Sequence, residues 1–334
     1  MADGRKWVTM GDVAARAGVG KITVSRALRT PGKVSPGTLR KVRAAVDELG
    51  YVIDETAGAL SSQRSRIVAA LVSTLEEPVF AATIRGLTEG LGAGGLQLML
   101  ATTQYDPETE ASLISTMLGR RPEALVLTSD RHTPAARALL ERAGIPVLEV
   151  WGLPDPPVHA AVGFFNREAG AAITRHMIET GRRRVAFLGL NREHDTRAQL
   201  RRQGYVDLCG RLAEERIVAV TPRPGVAGPE LGAQGLGEIL QRWPDTEAVV
   251  CVSDMLASGA LCEAWRRGLD VPGQLAISGF GDFDMASPAA LALTTVHIDG
   301  MAIGRRAAEL ILAGDLPKGL RENMGFTVVR RATS

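Results

Sequence analysis

Apolar residues recur at two different spacings along this chain, and the change in spacing divides it into a short first part and a long second part. In the first part they lie three or four residues apart, as in Val13 and Ala17 and again in Leu39, Val42 and Val46. This period predicts amphipathic helices around a small core. From residue 67 onward, short apolar runs alternate with helical segments, which predicts an α/β fold with parallel sheets.

The first part is predicted to hold three helices joined by tight turns. Thr9 followed by Asp12 predicts a capped helix start, and Gly18 predicts the end of that helix. A second helix is predicted over residues 21–28. The third is predicted over residues 35–50, because a Ser-Pro pair opens that segment and a glycine closes it.

Two helices joined by a tight glycine-containing turn form a helix-turn-helix, whose second helix fits the major groove of DNA. Lys21 and Arg26 can donate hydrogen bonds to guanine O6 and N7, and Ile22 can press on a thymine methyl group. Hydroxyl side chains suit phosphates. The predicted DNA-binding residues of this domain are Thr9, Lys21, Ile22, Thr23, Ser25, Arg26 and Arg29.

The charge of the chain is divided unequally. Residues 1–50 carry ten Lys and Arg against four Asp and Glu, which gives +6 and leaves −4 for the rest of a chain whose net charge is +2. A basic head on an acidic body indicates a polyanionic partner for the head alone. A solvated charged surface would give the same count, so the charge supports DNA binding only together with the helix pattern.

The strings "VTMGDVAARAGVGKITVSRAL" and "VSPGTLRKVRAAVDELGY" resemble the DNA-binding head of the lac repressor/galactose repressor family. The resemblance implies that residues 1–51 bind DNA and that residues 52–66 form a hinge, which folds as a helix on DNA. It also implies that Leu60 wedges open a base step through the minor groove, with Ala57 allowing close approach. A plain flexible linker remains the alternative. Glu55 adds an acid close to phosphates, so hinge affinity is expected to be weaker than in the family.

The resemblance continues into a two-lobed sensor similar to periplasmic sugar-binding proteins. The first lobe is predicted to comprise residues 67–163 with 294–323, and the second lobe residues 164–293 with 324–334, so that the chain crosses between lobes three times. Ligands of parallel sheets bind beyond the carboxyl ends of the strands. The predicted effector-binding residues are Ser73, Phe80, Thr128, His132, Glu149, Phe165, Arg197, Arg201, Asp254 and Phe280, and Trp151 follows a strand at the same edge.

A sugar acid is the predicted effector. Gly281 stands where the family has an acid that commonly holds sugar or purine ligands, and an acidic ligand would tolerate that loss. Arg197 and Arg201 supply positive charge. With the strings "PVFA", "RHTPAAR", "AGIPVLEV" and "AVGFFN", the chain most resembles the gluconate-responsive repressors, so gluconate or a close relative is expected.

Other classes of protein find little support in the sequence. It lacks a Gly-x-Ser-x-Gly elbow, a His-Glu-x-x-His helix and a glycine pattern after a strand that would cradle phosphates. We therefore expect no enzyme, no cofactor and no metal; the alternative is a cytoplasmic sugar-binding or sugar-metabolising α/β protein without operator binding. The three cysteines are expected to be reduced core residues. Without a signal peptide or a membrane-spanning run, the protein is expected in the cytoplasm, as a homodimer on palindromic operator DNA.

Overall fold

The computed structural model describes residues 7–52, 65–75, 78–210 and 216–334. Contacts between residues divide the chain into two compact units, residues 1–65 and residues 66–334. The first unit is helical and the second is α/β with parallel sheets. The predicted fold class is thereby confirmed.

The described part of the first unit contains three helices, α1 (Met10–Ala17), α2 (Lys21–Arg29) and α3 (Pro36–Leu49). Thr9 and Asp12 form the predicted capping box at the start of α1, each accepting a hydrogen bond from the main-chain N–H of the other. Gly18 ends α1 in the left-handed conformation, with φ of 66°. The three helices enclose a small core that includes Val13, Val24, Val42 and Tyr51.

The first lobe of the second unit is built on a six-stranded parallel sheet. Its strands are β1 (Ile67–Val72), β2 (Gln97–Thr102), β3 (Ala124–Leu127), β4 (Val147–Val150), β5 (Ala160–Gly163) and β11 (Leu320–Asn323), in the order β11-β5-β4-β3-β1-β2. Helices α4 (Ala81–Ala93), α5 (Pro107–Leu118) and α6 (Pro134–Arg142) connect the early strands. Strands β1, β3 and β4 are almost wholly buried, as apolar runs in a parallel sheet require.

The second lobe repeats this plan around a four-stranded parallel sheet. Its strands are β6 (Val185–Leu190), β7 (Arg216–Val220), β8 (Ala248–Cys251) and β9 (Ala276–Ser278), in the order β7-β6-β8-β9. Its helices are α7 (Asn166–Glu179), α8 (Thr196–Cys209), α9 (Gly228–Arg242) and α10 (Asp254–Arg266). Helices α7 and α8 touch along their backbones, since a Cβ on Gly204 would lie 2.1 Å from the carbonyl oxygen of Arg167.

The chain passes between the two sheets three times. It leaves the first lobe after β5, returns through β10 (Thr295–His297) into α11 (Gly300–Ala313), and leaves again between β11 and β12 (Thr327–Val329). Strands β10 and β12 pair antiparallel with each other, and α11 packs against α4. These three crossings place the carboxyl ends of both parallel sheets around one cleft.

No helix among the described residues is long and apolar enough to cross a membrane.

The three cysteines differ in their exposure. Cys209 and Cys251 are buried, but Cys262 is exposed on α10, so the expectation that all three cysteines are core residues is wrong for Cys262. Cys262 lies on the same exposed side of α10 as Trp265 and Arg266.

Candidate functional site

Helix α2 presents the predicted reading residues to solvent. Val24 and Ala27 turn into the core of the unit, which leaves Lys21, Ile22 and Arg26 on the opposite side. Ile22 is 71% exposed. A large apolar side chain held in water next to two cations suits a base edge in the major groove and has no role in the core.

The other predicted DNA-binding residues occupy several positions. Thr23 and Ser25 are half-buried and Arg29 is exposed at the end of α2. The Thr9 hydroxyl donates to the Asp12 carboxylate at 2.7 Å, so it serves the cap of α1. Ala57 and Leu60 lie outside the described residues, and their roles stay predictions.

The sensor cleft begins where β1 and β3 end. Ser73 follows β1 and Thr128 follows β3, and both are buried. The main-chain N–H of Ser73 donates to the Thr128 hydroxyl oxygen at 2.9 Å, and the two hydroxyl oxygens are 3.0 Å apart. Neighbouring parallel strands bring these hydroxyls together because their carboxyl ends lie at one edge.

Helix α8 of the second lobe reaches across the cleft to these hydroxyls. The buried Arg197 guanidinium donates through Nη1 to the Thr128 carbonyl oxygen and through Nη2 to the Ser73 hydroxyl at 3.0 Å. The hydroxyl of Thr196 donates to the Asp130 carboxylate. The two lobes are therefore joined by direct hydrogen bonds at the centre of the cleft.

A row of buried aromatic rings runs from the first lobe to the second. The Phe80 and Trp151 centroids are 5.6 Å apart, those of Trp151 and Phe164 5.9 Å, and those of Phe164 and Phe280 6.1 Å. The Arg197 guanidinium carbon lies 5.0 Å from the Phe80 ring centroid, and that of Arg201 lies 4.3 Å from the Phe280 centroid. Each end of the row thus carries a cation within cation–π range.

Arg201 is also held by a hydrogen bond. Its Nη1 donates to the Asn166 side-chain oxygen at 2.8 Å, and Asn166 Nδ2 donates to the Trp151 carbonyl oxygen at 2.9 Å. This chain of contacts connects α8, α7 and the end of β4. The position of Arg201 therefore depends on both lobes.

Phe165 is set apart from the aromatic row. It is 37% exposed, and the Arg321 guanidinium lies 6.0 Å from its ring centroid. Its neighbour Phe164 is fully buried and stands between the Trp151 and Phe280 rings. The structure therefore places Phe164 in the aromatic row, whereas Phe165 lies outside it.

His132 is sandwiched between two buried carboxylates. Its Nδ1 lies 3.0 Å from Glu110 Oε2 and its Nε2 lies 3.2 Å from Glu149 Oε1, and all three side chains are at most 2% exposed. Burial acts to lower the pKa of His132, but the hydrogen bonds and charges of the two glutamates outweigh it and raise the pKa to about 9. The imidazolium then donates to both carboxylates, so neither ring nitrogen is left for an effector.

Asp254 is committed to the loop that follows β9. Its Oδ1 accepts from the Thr295 hydroxyl at 2.6 Å and its Oδ2 accepts from the Phe283 main-chain N–H at 2.8 Å. Burial raises the pKa of this carboxyl to about 6, against the lowering effect of both hydrogen bonds. Asp254 thus shapes the second lobe around the cleft.

Two cavities open from the cleft. The first, of about 70 Å³, is lined by residues of both lobes, among them Ser73, Glu110, Asp130 and Arg197. The second, of about 510 Å³, is lined by residues that include Trp151, Gly281, His297 and Gly300. Sites for small molecules generally measure roughly 300 Å³ or more, so the first cavity must enlarge before it admits a whole sugar acid.

Most predicted effector residues are brought together, and the structure adds others. Ser73, Thr128 and Arg197 meet at the first cavity, and Phe80, Arg201 and Phe280 belong to the adjoining aromatic row. His132 contacts Glu110 of the cavity wall on one side and Glu149 on the other. Glu110, Phe164 and Thr196 were not among the predicted residues. Glu110 had a signal in the sequence, since it is an acid at an inward position of α5, four residues before the buried Ile114. Among the described residues, no group of three or more His, Cys, Asp or Glu could hold a metal ion.

Comparison with known proteins matches both units. Residues 9–54 match the bacterial regulatory proteins of the lacI family, and residues 65–316 match the periplasmic binding proteins and sugar binding domain of the LacI family. The HTH-type transcriptional regulator GntR of Pseudomonas aeruginosa is 36% identical over 98% of this chain and 95% of its own length. The Escherichia coli regulator of the same name is 36% identical over 97% of this chain and 98% of its own.

A solved structure agrees along the whole chain. The crystal structure of a LacI-family transcriptional regulator from Silicibacter pomeroyi has a TM-score of 0.89 and 33% identity to this chain, over 98% of this chain and 99% of that one. Its full-length coverage includes the helical head and the two-lobed sensor alike. The chain belongs to the LacI family of DNA-binding transcriptional regulators.

Proposed function

We propose that this protein is a repressor whose affinity for a palindromic operator is controlled by a small sugar acid, gluconate or a close relative. It would regulate genes of gluconate uptake or catabolism and act in the cytoplasm as a homodimer. The two heads of the dimer would read half-sites about one helical turn apart. The proposal assigns the chain no catalytic activity.

The DNA-binding half of the proposal rests on α2 and on charge. Lys21 and Arg26 flank the exposed Ile22, so one short helix offers two donors and one apolar contact to base edges. The charge of +6 over residues 1–50 attracts the phosphate backbone, in a manner that weakens with salt. Thr9, Thr23, Ser25 and Arg29 are proposed to contribute phosphate contacts, and Ala57 and Leu60 the hinge contacts.

The proposed effector is supported chiefly by the buried guanidinium of Arg197. It lies in the wall of a cavity that is also lined by acids, some of them buried or hydrogen-bonded. Arg197 is 6% exposed and lies between the two lobes. A guanidinium holds a carboxylate through charge-assisted hydrogen bonds, whereas acids and hydroxyls accept or exchange hydrogen bonds with the hydroxyl groups of a sugar. Gly281, where the family has an acid, leaves the second cavity with one carboxylate fewer, although Asp282, Asp284 and Asp299 still line it beside Arg85 and His297. These features together favour a hydroxylated anion over a neutral sugar.

Effector binding would act through the hydrogen bonds that close the cleft. Arg197 and Thr196 hold the lobes together in the described state, and a ligand that enters must share or replace those contacts. The angle between lobes would then change and weaken operator binding. Such coupling is reciprocal, so the operator complex must bind the effector less tightly than the free protein does.

The proposal is tested by fluorescence anisotropy of a labelled palindrome taken from DNA upstream of the gene. Protein is titrated at fixed salt, alone and with gluconate, glucose or hexanoate. We expect nanomolar-range binding that gluconate weakens and that glucose and hexanoate leave unchanged. Tight operator binding that gluconate does not change would show that gluconate is not the effector. Equal affinity for the palindrome and for random DNA would overturn the proposal that the protein binds an operator.

Two variants sharpen this test. Arg197→Lys keeps the charge but loses the planar pair of donors, so it should weaken operator binding, because Arg197 also holds the lobes together. Relative to its own affinity for the operator without effector, it should need at least about tenfold more gluconate for release. Lys21→Ala should weaken operator binding far more than Arg43→Ala, which removes the same charge from the exposed side of α3. Equal effects of the two substitutions would mean that charge alone drives binding.

A further inference from the structure

Glu110 is a buried acid whose position in its helix would ordinarily be apolar. It lies on the inner face of α5 with Ile114 and Met117, four and seven residues further on, and it is 2% exposed. One carboxylate oxygen, Oε2, accepts from His132 Nδ1 at 3.0 Å. The other, Oε1, is buried and has no hydrogen-bond partner among the described residues.

An unpartnered carboxylate oxygen inside a protein costs free energy, because it has lost the hydrogen bonds that water supplied. The ring of His132 contacts Oε2 alone and leaves Oε1 unsatisfied. Structural stability alone would favour an apolar side chain at this position, as at Ile114. The residue is therefore better explained by a partner that arrives from outside the chain.

The place from which such a partner can arrive is the first cavity. Glu110 lines it together with Ser73 and Arg197, so the cavity has an acid in one wall and a guanidinium in another. Three other acids line the same cavity. Asp106 caps α5 through Thr109, Asp130 accepts from Thr196, and Glu193 is exposed. Glu110 is distinguished from all three by its burial and by its buried, unpartnered oxygen.

We propose that Glu110 is an effector-binding residue whose Oε1 accepts a hydrogen bond from a hydroxyl group of the effector. The inference rests on the proposed function and adds an orientation to it. A carboxylate has no proton to donate at neutral pH, so the acid end of the effector cannot occupy this position. The acid end then lies toward Arg197 and a hydroxyl lies toward Glu110, which selects a polyhydroxy acid over a simple carboxylic acid.

The test is isothermal titration calorimetry of the full-length protein with gluconate and with hexanoate, which has the carboxylate but no hydroxyls. Glu110→Gln retains the shape of the side chain and the hydrogen bond to His132, while it loses the charge. We expect it to bind gluconate about tenfold more weakly than the wild type, about 1.4 kcal/mol. Hexanoate affinity should be low and equal in both. Glu108→Gln, on the exposed face of the same helix, is the matched control and should bind as the wild type does.

Each outcome decides between two statements. If Glu110→Gln binds gluconate as tightly as the wild type does, the inference is overturned and the proposed effector is unaffected. An equal loss of affinity for gluconate and hexanoate would have the same meaning, because it would indicate structural damage. No gluconate binding by the wild type would overturn the proposed effector and the inference with it. If Glu110→Gln fails to fold, Glu110→Asp is measured instead. It should also lose affinity for gluconate and not for hexanoate, because the shorter side chain withdraws the carboxylate from the cavity.

Discussion

The His132 imidazolium links the stability of the sensor to pH. Its pKa is raised from 6.5 to about 9 in the folded protein, where burial is outweighed by the carboxylates of Glu110 and Glu149. A group whose pKa is higher in the folded state than in the unfolded state stabilises the fold fully below the unfolded value. That contribution is lost as pH rises through the folded value. The affected window therefore runs from about pH 6.5 to about pH 9.

The size of the effect follows from the difference between the two pKa values. At about 1.4 kcal/mol for each tenfold change in proton affinity, the difference between 6.5 and about 9 corresponds to roughly 3 kcal/mol. The side chain is only 1% exposed, so solvent screening reduces this value little. The carboxylates of Glu110 and Glu149 are the source of the raised pKa, so this value already includes the cost of leaving them beside a neutral ring.

The assay is urea unfolding followed by far-UV circular dichroism at pH 6.5 and pH 9.5, for the wild type and for His132→Gln. We expect the wild type to lose roughly 3 kcal/mol more than the variant between the two pH values. The variant should be the less stable of the two at pH 6.5 and approach the wild type at pH 9.5. An equal pH dependence in both proteins would refute the reasoning, because another group would then carry the titration.

Three further predictions concern packing, the loop after β9 and DNA recognition. Gly204→Ala should destabilise the protein by about 1–3 kcal/mol because its methyl group would collide with the backbone of α7. Gly92→Ala is the control: it has open space around it in α4 and should be neutral or stabilise the protein by about 0.5–1 kcal/mol. Thermal unfolding of the two variants checks this difference. Asp254→Ala should cost at least about 2 kcal/mol, because the buried Thr295 hydroxyl and the partly buried N–H of Phe283 lose their acceptor. An unchanged urea midpoint would contradict this expectation. Ile22→Ala should lower the preference for operator over random DNA about tenfold without changing the salt dependence of binding, measured by competition anisotropy.

Residues close together in the sequence were sufficient to define the head. The signals act between residues only a few positions apart: the Thr9–Asp12 capping box, the glycines at the ends of α1 and α3, and the helical recurrence of apolar residues. The sequence therefore predicts where the helices of the head begin and end. The same holds for the alternation of strands and helices, since apolar runs of four to six residues predict buried parallel strands wherever helices separate them. Helix-turn-helix geometry then places Lys21, Ile22 and Arg26 on one exposed face.

The cleft was decided by contacts between residues far apart in the sequence. The sequence indicated that polar residues follow the strands, but it could not indicate that Arg197 reaches Ser73 across 124 positions or that Phe164 and not Phe165 enters the aromatic row. Nor could it show that Glu110 and Glu149 enclose His132, because α5, the loop after β3 and strand β4 meet only in the folded lobe. Local patterns fix which segments form helices and strands; the packing of those segments fixes which buried charges find partners and which oxygen is left for a ligand.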